Sequence, residues 1–130
     1  MPAFDTSFIV DLLRGNEEAL KKLAEMEVGD ITLSTTEINV LELYKGAYLS
    51  MKTHQNLEEI KEILESFQVL ELEESVYEVF ASLSANLLSR GRPIGIFDEL
   101  IAAIILCHDG KIITRDNHFK EVPGLEVIIY

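Results

Sequence analysis

The sequence predicts an α/β protein, a three-layer α/β/α sandwich around a central parallel sheet of about five strands. Two observations carry the layers. Short apolar runs alternate with longer stretches of helical periodicity along the whole chain. Strands separated by helices make βαβ units, whose sheet is parallel and covered on both faces. A third observation sets the extent: no internal repeat, low-complexity tract or Pro/Gly-rich linker interrupts the 130 residues, so residues 1–130 read as one domain with a real core.

Residues 1–5 read as a first short strand. Thr6 to Arg14 fits a helix stopped by Gly15, and Glu17 to Glu27 fits a second that ends near Gly29. Ile31-Thr32-Leu33 reads as a strand. In the "STTE" that follows, Ser34 and Glu37 have capping-box spacing. The next helix carries Ile38, Leu41, Tyr44, Tyr48 and Met51 along one face. Residues 57–66 read as an acidic amphipathic helix with Leu57, Ile60, Ile63 or Leu64, and Phe67 turned inward. Gln68 to Leu72 is a strand, and Glu73 to Arg90 a long helix burying Val76, Phe80, Leu83 and Leu87. "GRPIG" breaks the chain. Phe97 to His108 is a helix apolar nearly all round and therefore central. Lys111 to Thr114 and Leu125 to Tyr130 are the last strands.

Composition narrows the function classes. The longest apolar run, Leu100 to Cys107, is far short of the ~20 residues of a membrane span. The N-terminus lacks the basic region of a signal peptide and carries Asp5 where such a peptide is apolar, so the expected location is cytoplasmic. Cys107 is the only cysteine, which excludes an intrachain disulfide and a cysteine-based zinc site. The formal net charge of -12 argues, by itself, against a nucleic-acid ligand. Its distribution softens that objection. Residues 57–78 alone carry -7, whereas residues 79–130 carry -1.

Ligand sites on open α/β sheets lie at the carboxyl ends of the strands, near a topological switch point. Asp5 ends the first strand, Asp98 opens the central helix, and Asp116 follows the strand Lys111–Thr114. Singly, each has an ordinary reading: Asp5 as a helix N-cap, Asp98 as an acid at the positive end of its helix, Asp116 as a turn residue. Glu42 is harder to dismiss, because it sits at the edge of an apolar stripe with only Lys45 as an ordinary partner. Gly46 costs its helix roughly 1 kcal/mol against alanine, which predicts a close approach there. Four carboxylates gathered in one crevice repel one another and hold on to protons. A hard divalent cation removes that conflict, and such an ion also lowers the pKa of a bound water and neutralises charge on a phosphodiester.

Four segments, "FDTSFIVDLL", "TTEINVLELYKGA", "IGIFDELIAAI" and "IITRDNHFKEVPGLEV", resemble the PIN-domain family in order and spacing, and in particular its VapC-type toxins from toxin–antitoxin pairs. The resemblance spans nearly the whole chain. It implies a Mg2+- or Mn2+-dependent endoribonuclease in which water attacks phosphorus, leaving a 5′-phosphate and a 3′-hydroxyl. The family acids fall on Asp5, Glu42, Asp98 and Asp116. Asp5, Asp98 and Asp116 are the implied metal-holding groups. Glu42 would hold the metal through water or help to activate the nucleophile. Thr6, Ser7 and Thr114 match supporting positions that orient carboxylates or metal waters. Arg14, Lys45, Arg92, Arg115, Lys120 and His118 are the candidates for holding the RNA backbone. The implied partners are an RNA substrate, a cognate VapB-like antitoxin and a second copy of the chain.

Three other functions fit the sequence less well. A phosphoryl-transfer enzyme of the haloacid dehalogenase type needs a second acid two residues after the first, where this chain has Ser7. A receiver-like signalling module needs paired acids near the first strand and a lysine after a late one, where this chain has Arg115. A non-catalytic PIN-like RNA-binding or assembly module is disfavoured because all four acids are present.

Overall fold

The computed structural model describes residues 1–29 and 32–130. Five parallel strands form its sheet: β1 (Ala3–Phe4), β2 (Ser34–Thr36), β3 (Gln68–Leu70), β4 (Lys111–Thr114) and β5 (Glu126–Ile129). Their order is β3-β2-β1-β4-β5. Six helices connect them: α1 (Thr6–Leu13), α2 (Glu17–Val28), α3 (Glu37–Leu49), α4 (Thr53–Leu64), α5 (Ser75–Ser89) and α6 (Ile96–Leu106), with a 3-10 turn over Asn117–Glu121 before β5. The sheet grows in one direction from β1 to β2 and β3, and in the other to β4 and β5. The switch point therefore lies at β1, beside β4.

Alternation along the strands builds two cores. Ala3 and Ile112 face one side, where α5 and α6 supply Leu83, Leu87 and the buried run Ile101 to Ile105. Phe4 and Ile113 face the other, where α1, α3 and α4 supply Phe8, Ile9, Leu43 and Ile60. The Phe4 and Phe8 rings lie 4.4 Å apart, and Phe67 meets Phe4 edge-on at 5.7 Å. Burying such large apolar side chains, each worth ~1.5–3 kcal/mol, anchors β1 and holds Asp5 at its end. Among the described residues, no helix is long and apolar enough to cross a membrane.

Two local readings need correction. The second strand is Ser34–Thr36, not Ile31–Leu33: Thr32 and Leu33 lie outside it, and Ile31 lies outside the described residues. Ser34, Thr35 and Thr36 are fully buried. Burial of three hydroxyls is tolerable because they are satisfied: Ser34 donates to the Pro2 carbonyl at 3.0 Å and Thr35 to the Phe4 carbonyl at 2.7 Å, both on the adjoining β1 segment. The cap of α3 moves accordingly. Thr36 and Asn39 form the capping box, while Glu37 accepts the Leu72 N–H at the end of β3.

The face of α3 is the second correction. Ile38 is inward, but Leu41, Tyr48 and Met51 are exposed, and Asn39, Leu43 and Ala47 are buried instead. An apolar count treats Asn39 as an outward residue. Its inward amide rotates the true stripe away from the one the apolar residues suggest. Gly46 is not crowded either: a β-carbon there would meet nothing within 4 Å.

Candidate active site

The switch point places Asp5 and Asp116 just beyond the carboxyl ends of β1 and β4. Asp5 occupies the N-cap position of α1, yet its side chain makes no capping bond. It turns instead into the crevice, only 4% exposed. Asn39 Nδ2 donates to its Oδ1 at 3.1 Å, and Thr114 Oγ1 donates to its Oδ2 at 2.7 Å, with Ser7 Oγ at 3.4 Å. Thr114 in turn accepts the backbone N–H of Asp116 at 3.0 Å, so one hydroxyl ties the end of β4 to the end of β1. Glu42, half-buried on α3, accepts the Thr6 hydroxyl proton at 2.8 Å. Asp98, in the first turn of α6, meets His118 Nε2 at 2.8 Å. Asp116 is exposed at the start of the 3-10 turn, and its side chain makes no cap there.

Electrostatics show that these carboxylates share one field. Burial raises the Asp5 carboxyl above its ordinary value, with the charge of Asp116 adding to it, against the hydrogen bonds from Thr114, the Thr6 N–H and Asn39. Burial likewise raises Glu42; the Thr6 hydroxyl opposes it, and the charges of Asp98, Asp5 and Asp116 reinforce it. Burial raises Asp98, His118 opposes, and Asp5 and Asp116 push it further. Desolvation and mutual repulsion are the two conditions that a cation relieves. Among the described residues, however, no three His, Cys, Asp or Glu side chains close into a ligand cage. The carboxylates line an oxygen-rich crevice, which suits an ion of the magnesium type that takes one or two carboxylates directly and keeps several waters.

The basic candidates divide. Arg14 and Lys45 are exposed beside Glu42, Arg14 lining the cleft of about 390 Å3 between α1, α3 and α4. Lys120 is exposed. Arg92 is engaged by Glu121 at 3.2 Å. Arg115 is engaged by Asp11 at 3.0 Å and Glu18 at 3.5 Å, and its guanidinium lies 5.0 Å from the centre of the Tyr130 ring. Tyr130 also donates to Asp11, and burial, then this bond, raises its hydroxyl above the ordinary value. Arg115 is thus a strut on the loop that carries Asp116. His118 faces an acid rather than open solvent. Phe119 is fully buried and anchors that loop to the core.

Two residues escaped the sequence reading. Asn39 is fully buried at the centre of the hydrogen-bond web. Glu99, next to Asp98, is 4% exposed and accepts the Ser84 hydroxyl at 2.6 Å and the Ile94 N–H at 3.2 Å. It fastens the start of α6 to α5 and so fixes the turn that presents Asp98. The available signal was weak: a polar residue inside an otherwise apolar helix face.

Comparison with known proteins identifies the fold. The sequence pattern of the PIN domain matches residues 3–125. The chain belongs to the PIN-domain family. A relative within it, the tRNA(fMet)-specific endonuclease VapC of Shigella flexneri, is 25% identical over 122 residues, covering 93% of this chain and 91% of that one. Ribonuclease VapC4 of Mycobacterium tuberculosis is 29% identical over 106 residues, covering 80% and 76%. Among solved structures, VapBC2 from Rickettsia felis, bound to a DNA fragment from its promoter, superposes with a TM-score of 0.91 at 21% identity, covering 98% of this chain and 97% of that one. At that identity the likeness speaks to the fold, and it spans the whole PIN architecture described above.

Proposed function

We propose that the chain is the toxin of a type II toxin–antitoxin pair, an endoribonuclease that hydrolyses RNA phosphodiester bonds with a divalent cation, Mg2+ or Mn2+, in the acidic crevice. Residues 1–130 form a single nuclease domain. The observation that carries this reading is the shared field of Asp5, Glu42, Asp98 and Asp116 at the switch point of a PIN-family sheet. The donor set fits a hard cation: it is all oxygen and self-repelling, with Asp5, Glu42 and Asp98 partly desolvated. Asp5, Asp98 and Asp116 would hold the ion, directly or through water. A bound ion would supply charge neutralisation on the phosphate and a more acidic water.

The protein groups do the rest. Asn39 and Thr114 hold both oxygens of Asp5. Thr6 occupies Oε1 of Glu42, which leaves Oε2 to take a proton from the attacking water. The raised pKa of Glu42 suits that task, because a base titrating nearer neutrality accepts a proton more readily. The water oxygen bonds to phosphorus, the bond from phosphorus to the 3′-oxygen breaks, and that oxygen leaves as a hydroxyl with a proton drawn from solvent, to which Glu42 returns the one it took. Arg14 and Lys45 hold the RNA backbone beside Glu42, with Lys120 further along the edge. The remaining charge suits a basic antitoxin segment of VapB type, and a second copy of the chain completes the assembly.

Single-stranded RNA incubated with the purified chain is expected to be cut in Mg2+ or Mn2+ and left intact with chelator. The products should end in 5′-phosphate and 3′-hydroxyl. A 2′,3′-cyclic phosphate would mean that the neighbouring 2′-hydroxyl attacks, and the water mechanism would be wrong. RNA that is retained but never cut would make the chain a binding module.

A further inference from the structure

We infer that Asn39 is the positioning residue that couples Asp5 to Glu42 and fixes the direction of the hydrogen-bond chain between them. The assignment rests on the nuclease reading above and deepens it. Asn39 is fully buried, and every polar atom of its side chain is engaged. Its Oδ1 accepts the Thr36 N–H at 3.2 Å and the Thr36 hydroxyl at 2.7 Å. Its Nδ2 donates to Asp5 Oδ1 at 3.1 Å and to Thr6 Oγ1 at 2.9 Å.

The chemistry permits only this orientation. A flipped amide would set its NH2 against the Thr36 N–H, two donors facing each other, and its oxygen against the Asp5 carboxylate, two acceptors facing each other. The Thr36 backbone therefore dictates which end of Asn39 meets Asp5. One amide hydrogen goes to Asp5 and the other to Thr6. Since Thr6 Oγ1 is already accepting, its own proton is directed outward, to Glu42 Oε1 at 2.8 Å. The two acids, carried on β1 and α3, are thereby held in one frame by a single side chain that touches neither substrate nor ion. Sequence alone hides this, because Asn39 and Asp5 are 34 residues apart.

The capping contact with Thr36 gives Asn39 an ordinary structural role as well, so the test must separate the two. The full chain is assayed on single-stranded RNA in saturating Mg2+, comparing the parent with Asn39→Ala, Thr6→Val and the double variant, each checked by melting curve. Asn39→Ala is expected to lower kcat by ~30-fold or more while KM stays within about threefold. Thr6→Val removes only one arm and should cost less. The double variant should fall no more than about threefold below Asn39→Ala, because the arm that Thr6 supplies is already lost. Asn39→Ser, which can still reach Thr36, carries the same cycle if the alanine variant does not fold. Effects that multiply in the double variant would overturn the coupling. An Asn39→Ala protein that melts earlier but keeps the parent kcat would leave Asn39 a helix cap only. A parent that cuts no RNA in any divalent ion would end the nuclease reading itself, and this assignment with it.

Discussion

Replacing Asp98 with asparagine is expected to reduce RNA cleavage in saturating Mg2+ by at least ~100-fold. Asp98 opens α6, the most apolar helix of the chain, and Glu99 fastens that opening turn to α5. The amide preserves the side chain's shape and can still accept from His118 through its oxygen. What it loses is the formal charge that faces the field of Asp5 and Asp116. A neutral amide binds a hard cation poorly and cannot balance its charge. The expected loss therefore falls on chemistry rather than on folding, and the melting temperature in chelator should stay close to the parent's. Cleavage within about threefold of the parent would return Asp98 to the ordinary duty of an acid at a helix N-terminus, where the effect of its removal is a few tenths to ~1 kcal/mol of stability.

The second expected effect is on stability. In chelator at neutral pH, Glu42→Gln should melt above the parent. Glutamine keeps an acceptor for the Thr6 hydroxyl, whereas the glutamate must ionise half-buried among three other acids, with its pKa raised by that burial and by their charges. The sign follows from linkage. A carboxyl whose folded pKa lies above its unfolded value favours folding when protonated, and this contribution is lost as pH rises through the folded pKa. Above that folded pKa the parent bears a penalty that the variant does not. The gap should close as pH falls toward the ordinary glutamate range, since the variant cannot titrate at that position. Solvent reaches about half of the group, so the gain is no more than ~1 kcal/mol, or roughly 2–6 °C. Adding millimolar Mg2+ should reverse the order, because an ion bound by the folded parent stabilises it by mass action. Equal melting temperatures with and without Mg2+ in both proteins would mean that Glu42 belongs to no ion site.

Much of the fold was legible because its elements carry strong local signals. The apolar runs at β4 and β5, the glycine after α1 and the unbroken run in α6 each announce one element at nearly the right boundaries. β2 was misplaced because its burial depends on hydroxyls bonded to carbonyls of the neighbouring strand, a partnership invisible in "STT" read alone. The face of α3 was misread for a related reason. Asn39 is inward because Asp5, Thr6 and Thr36 give it partners, and an apolar count cannot register that. Asp5, Asp98 and Asp116 stand out in the sequence by their placement at strand ends and a helix start, Glu42 by its place on an apolar stripe, and all four by the family resemblance. The roles of Arg115 and His118 were less accessible. Arg115 reads as a free cation until the fold brings Asp11 and Glu18 to it, and His118 reads as a loop residue until α6 brings Asp98 within 2.8 Å.

The acidic crevice is expected to hold a divalent ion. Titrating the metal-free chain with Mn2+, while the paramagnetic signal of the free ion is followed, tests it most directly. Saturable binding is predicted for the parent, weakened by ~10-fold or more in Asp5→Asn and in Asp98→Asn, because each substitution removes a charged oxygen donor. Binding of equal strength in the parent and both variants, or none in the parent at millimolar Mn2+, would contradict it.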